Sequence, residues 1–151
     1  MERIGTVLLN REQAWRLRIL ARGGLFQTLP FEIVQGWLER AGLEGARAIA
    51  NQLQPPSLDN EGRPQMSALT AYVLERWGGD EVVYGSFAAS THKIQMYTGD
   101  IAAAHRKEAD SARPFLSHPI PAIRKWAEDE VELGEEQARK WTIRDEEQFL
   151  E

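Results

Sequence analysis

The chain has 151 residues, 42% of them hydrophobic and 27% charged, a size and balance that fit one folded domain and exclude a disordered polar segment. It contains no cysteine, so disulfides, thiolate metal sites and a cysteine nucleophile are excluded, and a reducing cytoplasm is the expected setting. The net charge of −5 is uneven: residues 127–151 hold ten acidic against three basic residues, a tail that repels phosphate and argues against nucleic acid as a partner.

The N-terminus shows no signal-peptide pattern, and no apolar run approaches the ~20 residues that span a bilayer. Ile4–Leu9 is too short to classify. Asn10 then caps a helix over Arg11–Arg22, with Ala14, Leu17, Leu20 and Ala21 inward and Gly23-Gly24 as its stop. Arg11, Arg18 and Arg22 share its other face, which reads as a solvated stripe. Thr28 is the expected cap of a second helix, with Pro30 in its first turn and Phe31, Val34, Trp37, Leu38 and Ala41 at helical spacing. Gly42 ends it, and Leu43 opens a third with Ala46, Ile49, Ala50 and Leu53 on one face.

Residues 55–65 form one long polar loop rich in turn formers, which reads first as a surface connection between two helical layers; its functional reading is a contact loop, with Arg63 as the candidate binding residue. A helix over Ala68–Trp77 follows, stopped by Gly78-Gly79. Asp80 caps the next, over Glu81–Ser90, with Val82, Val83 and Phe87 inward. Thr91–Gly99 lacks periodicity and reads as a turn with Ile94, Met96 and Tyr97 tucked beneath it. Asp100 caps a helix over Ile101–Leu116, whose last turns Pro114 kinks or opens. Pro121 starts the last helix, which runs from Ala122 towards Gln148 with a break expected near Gly134. Ile123, Trp126, Ala127, Val131, Ala138 and Trp141 mark its inner face. No strand is predicted.

Residues 109–132 resemble a HEAT-type repeat. A first helix ends in Phe115-Leu116, a short turn Ser117-His118-Pro119 follows, and a second helix carries Ile123-Arg124 with Ala127 four residues on. The aspartate common before the Ile-Arg pair is replaced by Ala122. The blocks at residues 45–50, 97–101 and 123–127 also resemble the C-terminal helical region of large bacterial multidomain proteins of NTPase and anti-phage defence type. These resemblances imply a recognition or scaffold role and carry over no catalytic residue.

Among candidate chemistries, His105 and Glu108 sit at i and i+3 on one helix, a chelating spacing, but neither His92 nor His118 completes a metal motif. No phosphate-binding loop or nucleophile elbow is present. The expectation is a single all-α domain over 1–151, an array of antiparallel, HEAT-like hairpins with about six to eight helices. Residues 55–65 divide it into sub-halves 1–54 and 66–151. The expected function is a non-catalytic protein-interaction module, without cofactor or metal, in a cytoplasmic and bacterial defence setting. Its partner is another protein or a second copy, with no membrane. The expected contacts are Trp141, Arg144, Phe149, Leu150 and Arg63. The alternative is a small helical enzyme or metal-binding domain built on His105, Glu108 and the neighbouring histidines.

Overall fold

The computed structural model describes residues 25–92 and 99–148. The expected helix at Arg11–Arg22 with its Asn10 cap, the arginine stripe on it, and Ile94, Met96 and Tyr97 lie outside the described residues. So do Phe149 and Leu150. What is described is mostly helical, with five helices of ten residues or more and one minimal two-stranded sheet. The elements are α1 (Leu25–Thr28), α2 (Phe31–Ile49), β1 (Ser57–Leu58), β2 (Pro64–Gln65), α3 (Ala68–Trp77), α4 (Glu81–Thr91), α5 (Ile101–Ala112) and α6 (Pro121–Gln148). Single 3-10 turns follow α2 and α5, at Ala50–Gln52 and Arg113–Phe115. No described helix is long and apolar enough to cross a membrane.

The described residues fall into two compact units, the first made of 25–55 with 66–92 and the second of 56–65 with 99–148. In the first unit, Val34, Trp37 and Leu38 are buried as the helical spacing requires, and the Phe26 ring stacks on Trp37 at 5.4 Å. Pro30, rather than Thr28, occupies the N-cap of α2; Thr28 instead closes the short α1. At Gly42 the backbone turns to φ 60°, ψ −144°, a region open to glycine and costly for other residues, so α2 bends there and resumes towards Ile49. Gly45 allows the bend to close, since a Cβ on it would stand 2.7 Å from that of Ala41.

Ser67 caps α3 by accepting from the Thr70 amide, and the buried Thr70 hydroxyl donates to the Gln54 carbonyl at 2.8 Å. Asp80 caps α4 through the Val82 and Val83 amides, both 3.1 Å from Oδ1. Of the two valines only Val83 is buried with Phe87; Val82 is 52% exposed, one helical step outside the stripe. Asp80 also receives Arg47 in a two-pronged pair, Nε to Oδ1 at 3.1 Å and Nη2 to Oδ2 at 2.7 Å. One carboxylate thus fastens the start of α4 to the end of α2.

In the second unit, Asp59 organises the β1–β2 hairpin. Its Oδ1 accepts the Glu61 and Arg63 amides and its Oδ2 the Arg63 guanidinium, while Gly62 takes the positive φ of 77°. Two-residue strands are too short to leave an alternating signal, and here the polar loop was expected without a sheet. Asp100 caps α5 through the Ala103 amide. The α-helix ends at Ala112, and a 3-10 turn carrying Pro114 replaces the expected last turn. The turn into α6 is fastened by Arg124, which donates to the carbonyls of His118 at 2.7 Å and Pro119 at 3.1 Å.

α6 is continuous for 28 residues and does not break at Gly134. The glycine serves close approach instead: a Cβ there would lie 2.9 Å from the His105 carbonyl oxygen and 3.0 Å from the Ala109 Cβ. Glycine and alanine so placed let two helix backbones come nearer than larger residues would. We predict that Gly134→Ala lowers stability by about 1–3 kcal/mol through overpacking. Gly85→Ala, in α4 with nothing within 4 Å of the new methyl, raises it by up to about 1 kcal/mol from helix propensity. Urea denaturation followed by circular dichroism reads both; a stabilising Gly134→Ala would show that the helices do not touch there.

The Arg47 bond, followed by the Val83 amide, holds the Asp80 carboxyl at about 2. A folded value below the unfolded one stabilises above about pH 4, and that contribution is lost as pH falls towards 2. The denaturation midpoint should fall over that window. Asp80→Asn, which keeps a capping oxygen but no charge, should flatten the fall and lower the midpoint at neutral pH.

Candidate interaction groove

The site is generated by two antiparallel helices of unequal length. α5 spans 12 residues and α6 spans 28, and the cross-links Arg106 to Thr142 and Arg113 to Glu135 fix their opposite directions. Beside the Gly134 crossing the two helices leave a groove of about 550 Å³. Its floor is Ala109 and Ala138, 1% and 3% exposed, where short side chains leave room above them. One wall carries Arg106, Asp110 and Arg113, at steps of four and three along one face of α5. The other carries Glu135, Arg139 and Ile143 on α6.

The charges are unevenly matched. At one end Arg113 donates to Asp110 at 3.0 Å and to Glu135, and these two carboxylates hold its guanidinium above its ordinary value. At the other end Arg106 donates to the neutral Thr142 hydroxyl at 2.9 Å, and Arg139 is exposed. Lys140 pairs with Glu136 at 2.7 Å on the adjoining face of α6, which holds the Glu136 carboxyl below its ordinary value. The groove therefore has a neutralised end and a cationic end, with Ile143, 56% exposed, on the rim of the latter.

Of the residues singled out in the sequence, Trp141 and Arg144 come together, the guanidinium lying 5.0 Å from the indole ring. Trp141 continues the inner face of α6 beyond Ala138 and is half-buried. Arg63 is exposed on the β1–β2 hairpin, where Asp59 at 2.8 Å and Glu61 at 3.1 Å engage it. Phe149 and Leu150 lie outside the described residues. His105 and Glu108 do meet, Nδ1 to Oε2 at 3.0 Å, but among the described residues no group of three His, Asp or Glu is placed to hold a metal. His92 stands at the C-cap of α4 and His118 in the α5–α6 turn. The residues the sequence reading missed are Arg106, Asp110, Arg113 and Arg139. Their helical spacing was available, but which faces of α5 and α6 would meet was not. Compared with family profiles, curated proteins and solved structures, the chain shows no match.

His118 helps to set the helix pair. Its Nδ1 accepts the Ile120 amide at 3.2 Å, which requires an unprotonated nitrogen. Burial, followed by the nearby Arg124 charge, lowers its affinity for a proton below the ordinary 6.5. The stability tied to this neutral ring is complete above about pH 6.5 and declines as pH falls below it, because the unfolded chain takes up the proton first. We predict a fall in Tm from pH 7 to pH 5.5 that His118→Asn, whose side-chain oxygen also accepts an amide, largely removes. An equal fall in the variant would place the pH dependence elsewhere.

Proposed function

We propose that this chain is a non-catalytic helical protein-interaction module, acting as a scaffold or adaptor through the α5–α6 groove and the C-terminal turns of α6. The observation that carries the reading is the groove itself: an alanine floor between charged ridges, with an exposed isoleucine and the Trp141–Arg144 pair alongside. A floor of small side chains between two helices suits the apolar knobs of a third helix, and flanking guanidiniums suit its carboxylates. The α5–α6 hairpin, with its Pro114 turn and the Arg124 fastening, also fits the HEAT-like unit that residues 109–132 resemble. A chain without cysteine suits a cytoplasmic setting.

The enzyme or metal reading has one observation in its favour, the His105–Glu108 contact. It lacks a third ligand among the described residues.

The test is site-specific photocrosslinking in cells that naturally make the protein. A photoreactive residue at Arg139 or Thr142 should yield discrete protein adducts, and one at Glu75 in α3 or Lys125 early in α6 should yield none. Equal labelling from all four positions, or none from the groove, would contradict the reading. A rise in Tm with zinc or manganese ions that His105→Ala abolishes would transfer the site to the histidine.

A further inference from the structure

We infer that Arg106 and Arg139 form a binding site for a compact oxyanion of the phosphate class, held at the cationic end of the α5–α6 groove. This goes beyond the groove's role as a protein interface, because both arginines and the residue that positions them belong to one helix pair of one chain.

The two guanidiniums border the same groove of about 550 Å³, one from each helix. Neither meets a carboxylate among the described residues: Arg106 donates to the neutral Thr142 hydroxyl, and Arg139 is exposed. The contrast lies within the groove itself. Arg113, seven residues beyond Arg106 on the same face of α5, is engaged by both Asp110 and Glu135. The chain thus supplies two carboxylates to one arginine of the groove and none to the other two.

Their placement is fixed by Thr142. Its hydroxyl donates to the Ala138 carbonyl at 2.9 Å, which turns its lone pairs towards Arg106 Nη2, also at 2.9 Å. Arg139 precedes Thr142 by three residues, so the two stand on one face of α6, one turn apart. Thr142 is therefore a positioning residue, which holds one guanidinium beside the base of the other.

Charge then selects the class of ligand. Two guanidiniums without a counter-charge are matched by a dianion, whose several oxygens accept from both forks; a single carboxylate neutralises only one. An extended polyanion is disfavoured. At the far end of the groove Asp110 and Glu135 against Arg113 leave one negative charge in excess, and Asp145 is exposed just beyond Thr142 on α6. What fits is one dianionic head between Arg106 and Arg139, with any further part of the ligand uncharged or basic along the Ala109–Ala138 floor. Two charge-assisted contacts in an open site give a Kd on the order of a millimolar for the head alone.

Amide NMR titrations of the whole chain, at about pH 7 and constant ionic strength, test this with inorganic phosphate, capped phosphoserine and acetate. The phosphates should give saturable shifts in residues 106–113 and 135–143, and acetate should bind at least about tenfold more weakly. Arg106→Gln and Arg139→Gln should each weaken phosphate binding about tenfold, and Arg63→Gln on the hairpin should leave it unchanged. Thr142→Val should weaken it a few-fold, and Thr142→Ser, which keeps the hydroxyl, should restore it. Tighter binding of phosphoserine than of inorganic phosphate assigns the head to a phosphorylated side chain; equal or weaker binding assigns it to free phosphate, and both uphold the site. Shifts that do not saturate, that acetate reproduces at equal concentration, or that survive both arginine variants overturn it. Absent binding with photocrosslinks still formed from position 139 or 142 removes the anion site alone. Saturable binding without such adducts upholds the anion site and removes the protein interface.

Discussion

Gly134 is the contact on which the second unit depends. A glycine in the middle of a long helix costs up to about 1 kcal/mol relative to alanine, because the unfolded chain has more freedom to lose. Here the loss is offset by contact, since only a residue without Cβ allows α6 to lie against the His105 carbonyl and the Ala109 methyl. The same closeness selects alanines at 109, 112, 127 and 138, all buried. What makes the pair stable also shapes its outer surface. Alanines that fill the crossing leave a shallow floor beside it, and the longer Arg106, Asp110, Arg113, Glu135 and Arg139 side chains stand up as walls. Groove and packing are one consequence of using small residues along a single line.

The first unit is held by a different device. Its apolar stripes supply most of the driving force, but they do not by themselves set how the end of α2 meets the start of α4. That junction falls to Asp80, which satisfies two otherwise orphaned amides of α4 and the Arg47 guanidinium together. The bend at Gly42, with Gly45 just beyond it, gives α2 the two directions needed for Val34, Trp37 and Leu38 before the bend and Ala46 and Ile49 after it to be buried.

Much of this was legible in the sequence because the signals are local. The caps at Asp80 and Asp100, the opening of α3 after Ser67 and the start of α6 at Pro121 depend on side chains acting within three or four residues of themselves, while Gly42, expected to stop one helix before another opens at Leu43, bends α2 instead. The errors share the opposite character. Gly134 reads as a breaker from one strand of information; only the neighbouring helix turns it into a point of contact. Val82 and Val83 are equivalent by composition, and the neighbours of α4 decide that Val83 enters the core. Thr28 is a good capping residue by type, yet Pro30 already sets the extended geometry required before Phe31. The hairpin rests on Asp59 closing a turn between strands of only two residues, below the length at which alternation is readable. The groove was invisible for the same reason as Gly134: its walls come from two helices whose register no single-chain pattern records, although Trp141 and Arg144 had already drawn attention to the same turns of α6.

We propose that the surface built by α5 and α6 is the one covered when the protein meets its partner. Amide hydrogen exchange measured by mass spectrometry, on the protein alone and with the partner that its photocrosslinks identify, tests this most directly. The partner should add protection to residues 135–148 and 106–113 while exchange in α3 and α4 stays unchanged. Protection that the partner does not change, or that grows over residues 68–91 instead, would contradict it.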